Sequence, residues 1–164
     1  MEQDLFNDTE EPISSYVTLG VDNEVYAVDV RCVREILEHR PPVPLHHAPP
    51  CFVGVVDVRG TTVPVIDLSR KLGLPAAPVT VNTRILVLEV PLTDRTITVG
   101  LLVSRVFEVA ELELGGLEST PDVGIAWNSE YIAAIGRLHG GFVTIFNMQK
   151  LFDSTELAVL PDVE

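Results

Sequence analysis

The sequence predicts an all-β protein with short helices, arranged as two small β-barrels. Three observations carry that prediction. Short runs rich in Val, Ile and Thr alternate with tight turns containing Gly, Asp or Asn. No strand–helix–strand unit of the kind that builds a parallel nucleotide-binding sheet is present. Finally, Val58-Arg59-Gly60 followed by Val63-Pro64-Val65-Ile66-Asp67-Leu68 recurs eighty positions on. The second copy is Leu138-His139-Gly140 followed by Val143-Thr144-Ile145-Phe146-Asn147-Met148; each reads as strand, glycine turn, strand, polar cap and helical turn.

Taken in order, Tyr16–Gly20 and Glu24–Val30 flank Asp22-Asn23 and form a first hairpin. Val30, Val33, Ile36 and Leu37 recur at helical spacing, with Arg31/Glu35 and Arg34/Glu38 four apart. This predicts a short amphipathic helix over 30–38. Five prolines between Pro41 and Pro50 exclude regular structure there. Phe52–Val58 and Thr61–Ile66 make a hairpin turned at Arg59-Gly60. Asp67 then caps one helical turn, Leu68–Leu72, which stops at Gly73. Arg84–Pro91 with Thr96–Val103, and Tyr131–Leu138 with Phe142–Phe146, supply two more hairpins, and Met148–Phe152 closes the chain with a helical turn. Val30, Val33 and Ile36 share their spacing with Val103, Val106 and Val109, a fainter echo that chance similarity between Val-rich segments explains equally well.

The chain has 164 residues and is 46% hydrophobic, enough for one cored body of two lobes. Its net charge of −13 repels phosphates and anionic headgroups, which argues against nucleic acid or a membrane surface as the main partner. Acidic residues concentrate in a base-free head over 1–14, expected to be a solvated tail, and in Glu108–Asp122, expected to be a charged loop; 153–164 reads as a second tail. The beginning lacks a basic-then-apolar leader and no apolar run reaches membrane-spanning length. A cytoplasmic location is expected, with Cys32 and Cys51 reduced and acting as small apolar residues.

No constellation for chemistry emerges. Ser14, Ser104, Ser119 and Ser129 lack a nucleophile-turn context, and the glycine pairs fit turns, not phosphate cradles. His46, His47 and Asp67 are the one set from which a small hydrolase or ligand-binding barrel could be drawn. However, adjacent histidines diverge, and Asp67 already serves as a cap. No metal, cofactor or catalytic residue is expected. The one oddly placed cation is Arg59, at the tip of an apolar hairpin. A local pair with Asp57 and an interface role account for it equally well.

Gly54-Val-Val-Asp-Val-Arg-Gly60 followed by Val63-Pro-Val-Ile-Asp-Leu68 resembles the signature of the CheW-like family of bacterial chemotaxis adaptors. Tyr26–Val30, Val33-x-Glu35-Ile36, Val99–Val103 and Tyr131–Gly136 follow in the family's order, so the resemblance spans 15–152. It implies two five-stranded Src-homology-3-like barrels around a shared core. It also implies a non-enzymatic adaptor that couples methyl-accepting chemoreceptors to the histidine kinase CheA, cytoplasmic and recruited to membrane receptor arrays. Val33, Ile36, Val106 and Val109 match positions that receive the receptor tip; Arg59, Gly60, Val43 and Leu45 match positions that meet the kinase's CheW-like domain. Where the family usually has Asn, Asp and Gly, this chain has Asp57, Ser104 and Ala134. These departures keep open an adaptor of a non-flagellar pathway such as twitching, biofilm or cyclic-dinucleotide signalling.

Overall fold

The computed structural model describes residues 15–114 and 131–152; the two predicted tails and the later part of the predicted acidic loop lie outside them. Eleven strands and two short helices follow one another. They are β1 (Ser15–Val21), β2 (Glu24–Asp29), β3 (Val33–Glu38), β4 (Phe52–Val58), β5 (Thr61–Asp67), α1 (Leu68–Lys71) and β6 (Arg84–Pro91). These lead into β7 (Thr96–Val103), β8 (Arg105–Glu111), β9 (Glu113–Leu114), β10 (Ile132–Leu138), β11 (Gly141–Phe146) and α2 (Met148–Phe152). The four hairpins stand where their turn residues predict them. Asp67 caps α1 by accepting a hydrogen bond from the Ser69 amide at 3.0 Å.

Pairing divides the strands into a sheet ordered β8-β1-β2-β11-β10-β9 and a second ordered β3-β6-β7-β5-β4. The first therefore has six strands where five are expected, because the two-residue β9 adds itself to β10. Each sheet contains one parallel joint, Ile145 beside Ala27 in the six-stranded lobe and Val65 beside Gly100 in the five-stranded lobe. The eighty-residue repeat is thus architectural: β4-β5-α1 in one lobe corresponds to β10-β11-α2 in the other. The fainter echo is architectural too. β3 follows the β1–β2 hairpin but joins the opposite sheet as an edge, and β8 follows the β6–β7 hairpin and does the same in return.

The predicted helix over 30–38 is a correction. Only Val30–Cys32 forms a 3-10 turn, capped by Asp29, and the remainder is strand β3. The helical spacing has a β origin. A bulge between Val33 and Glu35 inserts an extra residue, so Val33 opposes Leu88 and Ile36 opposes Leu86 on one face. β8 repeats the device, with Val106 opposite Leu19 and Val109 opposite Val17 around its own bulge. A spacing of three in a bulged strand thus imitates one turn of helix. The predicted pairs Arg31/Glu35 and Arg34/Glu38 do not form; Arg31 pairs with Asp29 and Arg34 with Glu89. The loop predicted from Glu108 is likewise strand as far as Glu111, with Glu113–Leu114 in β9.

Three apolar clusters fill the body. The largest lies between the sheets and draws on Leu19 and Val28 from one, Leu86, Leu88 and Leu101 from the other, and Leu68, Leu151 and Phe152 from the helices. Val56, Val63, Val65, Ile85 and Val87 form a cluster private to the five-stranded lobe; Tyr16, Ala27, Leu112, Val143 and Ile145 form its counterpart. β6 serves two clusters at once, Leu86 and Leu88 facing the shared core and Ile85 and Val87 the private one. A strand covered on both faces reads as an unbroken apolar run, as 85–88 does.

Candidate functional site

Two surfaces gather the residues singled out in the sequence. The first is the shared-core face of the edge strands. Residues directly opposed in an antiparallel pair project to the same side. Val33 and Ile36, opposite Leu88 and Leu86, therefore lie on the core side of β3, and Val106 and Val109, opposite Leu19 and Val17, lie on that side of β8. In each strand the first residue packs against the shared core, Val33 and Val106, while the second stays open, Ile36 at 43% and Val109 at 60% exposure. The two strands thus present matching apolar steps at the rim of the core. Beside the Val30–Cys32 turn, a cavity of about 570 Å³ is lined by Asp29, Arg31, Cys32, Glu89 and Met148, among others. The Arg31 guanidinium holds the Asp29 carboxyl below the usual carboxylate range, whereas burial pushes the Cys32 thiol up and away from reactivity.

The second surface is the seam where the five-stranded sheet comes round on itself. β3 and β4 are its outer strands and make no ladder with each other. Other contacts join the two. Val43, in the proline-rich loop after β3, exchanges backbone hydrogen bonds with Val55 of β4 at 2.8 and 2.9 Å. Arg40 Nη1 donates to the Asp57 carbonyl at 2.8 Å. Arg59 sits with Gly60 at the tip of the β4–β5 hairpin, both at positive φ (51° and 85°) as in a type I′ turn. From there its Nη1 donates to Glu35 Oε2 of β3 at 2.5 Å. Of the two readings of Arg59 left open by the sequence, the local pair with Asp57 does not form: the turn carries Arg59 across the seam to β3, and Asp57 offers its backbone carbonyl to Arg40. Arg59 remains 78% exposed in its side chain, and Val43 and Leu45 are exposed beside the same seam. Glu35 is the residue that sequence reasoning missed. Assigning it to a helix hid its partner, twenty-four positions away.

His46 and His47 stand exposed on the proline-rich loop, their rings 6.4 Å apart and tilted. Asp67 is 5% exposed and engaged by the Ser69 amide and, at 3.6 Å, by Arg70. Among the described residues no group of three His, Cys, Asp or Glu side chains is placed to hold a metal. No helix among them is long and apolar enough to cross a membrane.

Strand edges, a clasped seam and apolar rims thus define a two-lobed β body around a shared core. The chain belongs to the CheW-like family, whose domain matches residues 15–156. It is 29% identical over 140 residues to the chemotaxis protein CheW of Rhizobium meliloti, covering 85% of this chain and 88% of that one. It is 30% identical over 146 residues to the chemotaxis protein CheW of Klebsiella aerogenes, covering 89% and 84%. Its fold is similar to the crystal structure of the scaffolding protein TtCheW from Thermoanaerobacter tengcongensis, with a TM-score of 0.72, 21% identity, and coverage of 88% of this chain and 95% of that one.

Proposed function

We propose that the chain is a chemotaxis-type adaptor that couples a methyl-accepting chemoreceptor to the histidine kinase CheA, working in the cytoplasm at membrane receptor arrays. The receptor's helical tip would lie against Val33, Ile36, Val106 and Val109, and the kinase's CheW-like domain would meet Arg59, Gly60, Val43 and Leu45. The single observation that carries this reading is the paired exposure of Ile36 and Val109 on equivalent bulged edge strands, each beside a residue anchored in the shared core. An apolar step of this kind suits an amphipathic helix laid along it. Arg59 adds an exposed guanidinium already aimed by its pair with Glu35, the type of group that concentrates energy at interfaces. Individually weak contacts suffice where many copies are held together.

Two substitutions separate the surfaces. Arg59→Glu places like charges at the Glu35 clasp and should reduce co-sedimentation with kinase at least about tenfold, while far-ultraviolet circular dichroism is unchanged. Undiminished kinase binding would remove Arg59 from the interface. Ile36→Asp should weaken receptor capture with kinase binding retained. Val33 is the poorer choice for this test, because it also packs on the core.

A further inference from the structure

The repeat does not stop at the helical turns. At the same offset of eighty, α1 is followed by 73–83 and α2 by 153–163, and the caps Asp67 and Asn147, with Ser69 and Gln149 two places on, stand at equivalent positions. On the opposing side Leu102 and Ser104 correspond to Asp29 and Arg31, at the spacing that relates β8 to β3. After α1 the chain turns back over this place. The Leu74 amide donates to the Ser69 carbonyl at 2.9 Å, and Leu74 packs on the shared core. Ala77, Pro78 and Val79 then lie against Asp67, Ser69, Leu102 and Ser104 around a space of only about 10 Å³. A second cavity of about 330 Å³ opens beside it toward Asp22.

The equivalent place after α2 is the cavity of about 570 Å³ lined by Asn147, Gln149, Asp29 and Arg31. Its polar groups are already engaged. Asn147 Oδ1 accepts from the Lys150 amide, Gln149 Nε2 donates to the Pro91 carbonyl at 3.1 Å, Arg31 pairs with Asp29, and Glu89 pairs with Arg34. The rest of the lining is apolar, from Tyr16, Cys32, Pro91, Ala133, Phe146 and Met148 among others. Such a wall suits an apolar segment better than a polar ligand. We propose that Leu157-Ala158-Val159-Leu160 of this same chain lies in this cavity, as 77–80 lies over its counterpart. Three observations choose this occupant. Met148 and Gln149 of α2 line the cavity, so the chain leaves α2 beside it, and the five residues from Phe152 to Leu157 reach up to about 17 Å. Residues 157–160 are the apolar run of an otherwise acidic segment, set between Glu156 and Asp162. Finally, Leu157 stands where the first copy has Ala77, a larger side chain at the larger space.

The test reads the thiol of Cys32, half-buried in the cavity wall, against that of Cys51, buried in the shared core. The full chain is labelled with a maleimide at about pH 8, and each site is followed by peptide mass spectrometry in wild type, Leu157→Asp and the milder Leu157→Ala. It needs no receptor or kinase, so its outcome is independent of the docking reading. Leu157→Asp should label Cys32 at least about tenfold faster than wild type and Leu157→Ala about two- to threefold faster, with Cys51 unchanged in both. Wild-type rates should be the same after about tenfold dilution of the protein, as a segment of the same molecule requires. The proposal is overturned by an unchanged Cys32 rate in Leu157→Asp, by an acceleration that Cys51 shares in both variants, or by wild-type protection lost on dilution, the mark of a second copy.

Discussion

In the five-stranded lobe the seam is sewn through the backbone: the Val43 segment runs against β4 and Arg59 reaches β3. In the six-stranded lobe β9, one residue beyond β8, likewise pairs through the backbone with β10, but the turn residue that reaches across is His139, which meets Glu108 of β8. The difference reaches down to single atoms. Gly54 has a φ of +146°, and a Cβ there would come within 2.5 Å of the Val43 carbonyl oxygen. Its counterpart eighty positions on is Ala134, which carries a Cβ and packs it against the lobe's private cluster. The family's usual glycine is therefore dispensable in one copy and dictated by a crossing backbone in the other. Equivalent positions in a repeat inherit the same geometry but not the same neighbours, and the neighbours decide which residues are replaceable.

The comparison can be broken most decisively at the element both lobes share. Leu101→Ala, fully buried in the shared core, should cost about 2–5 kcal/mol and lower both lobes in a single denaturation transition. Two separated transitions would mean that the lobes fold independently. Gly54→Ala should be next, costing about 3 kcal/mol from strained backbone and a displaced Val43. The reverse exchange, Ala134→Gly, should cost only about 0.5–1 kcal/mol in chemical denaturation. Equal losses would deny the asymmetry of the seams.

The smallest effect sharpens the comparison at the caps. Asp67 of α1 corresponds to Asn147, whose Oδ1 accepts from the Lys150 amide at 3.1 Å. Burial raises the Asp67 pKa above the carboxylate norm, so the folded chain keeps this proton to higher pH than the unfolded chain does. The stability contributed by Asp67 therefore falls as pH rises from the unfolded value, about 4, through the raised folded value. Asp67→Asn keeps the cap and removes that dependence. It should be at least as stable as wild type at pH 7 by thermal denaturation, with the gain, under about 1 kcal/mol, vanishing in acid. A gain that grows on acidification would reverse the assigned sign.

The legible parts of the fold were those written locally. Asp22-Asn23, Arg59-Gly60 and Gly140-Gly141 announce their hairpins because turn geometry selects residue types within a few positions. The eighty-residue repeat was equally plain, since its polar caps and turn glycines recur in register. β3 and β8 were not legible, because a bulge imposes on them the periodicity of another structure. The exposed apolar residues of the candidate rim could be placed through the family resemblance, whereas the Glu35 partner of Arg59 depends on which strand closes the sheet. That closure is a property of the whole topology, and no short stretch of sequence records it.

The exchanged edges carry a last consequence. Because the β1–β2 and β6–β7 hairpins each hand their following strand to the opposite sheet, any cut between β3 and β8 that separates the halves leaves one or both sheets short of a strand, with a bare row of amides and carbonyls in its place. Neither half is then a unit that evolution could delete or duplicate by itself. The protein is inherited as one indivisible knit, and truncated forms should be sought among aggregates and not among small stable fragments.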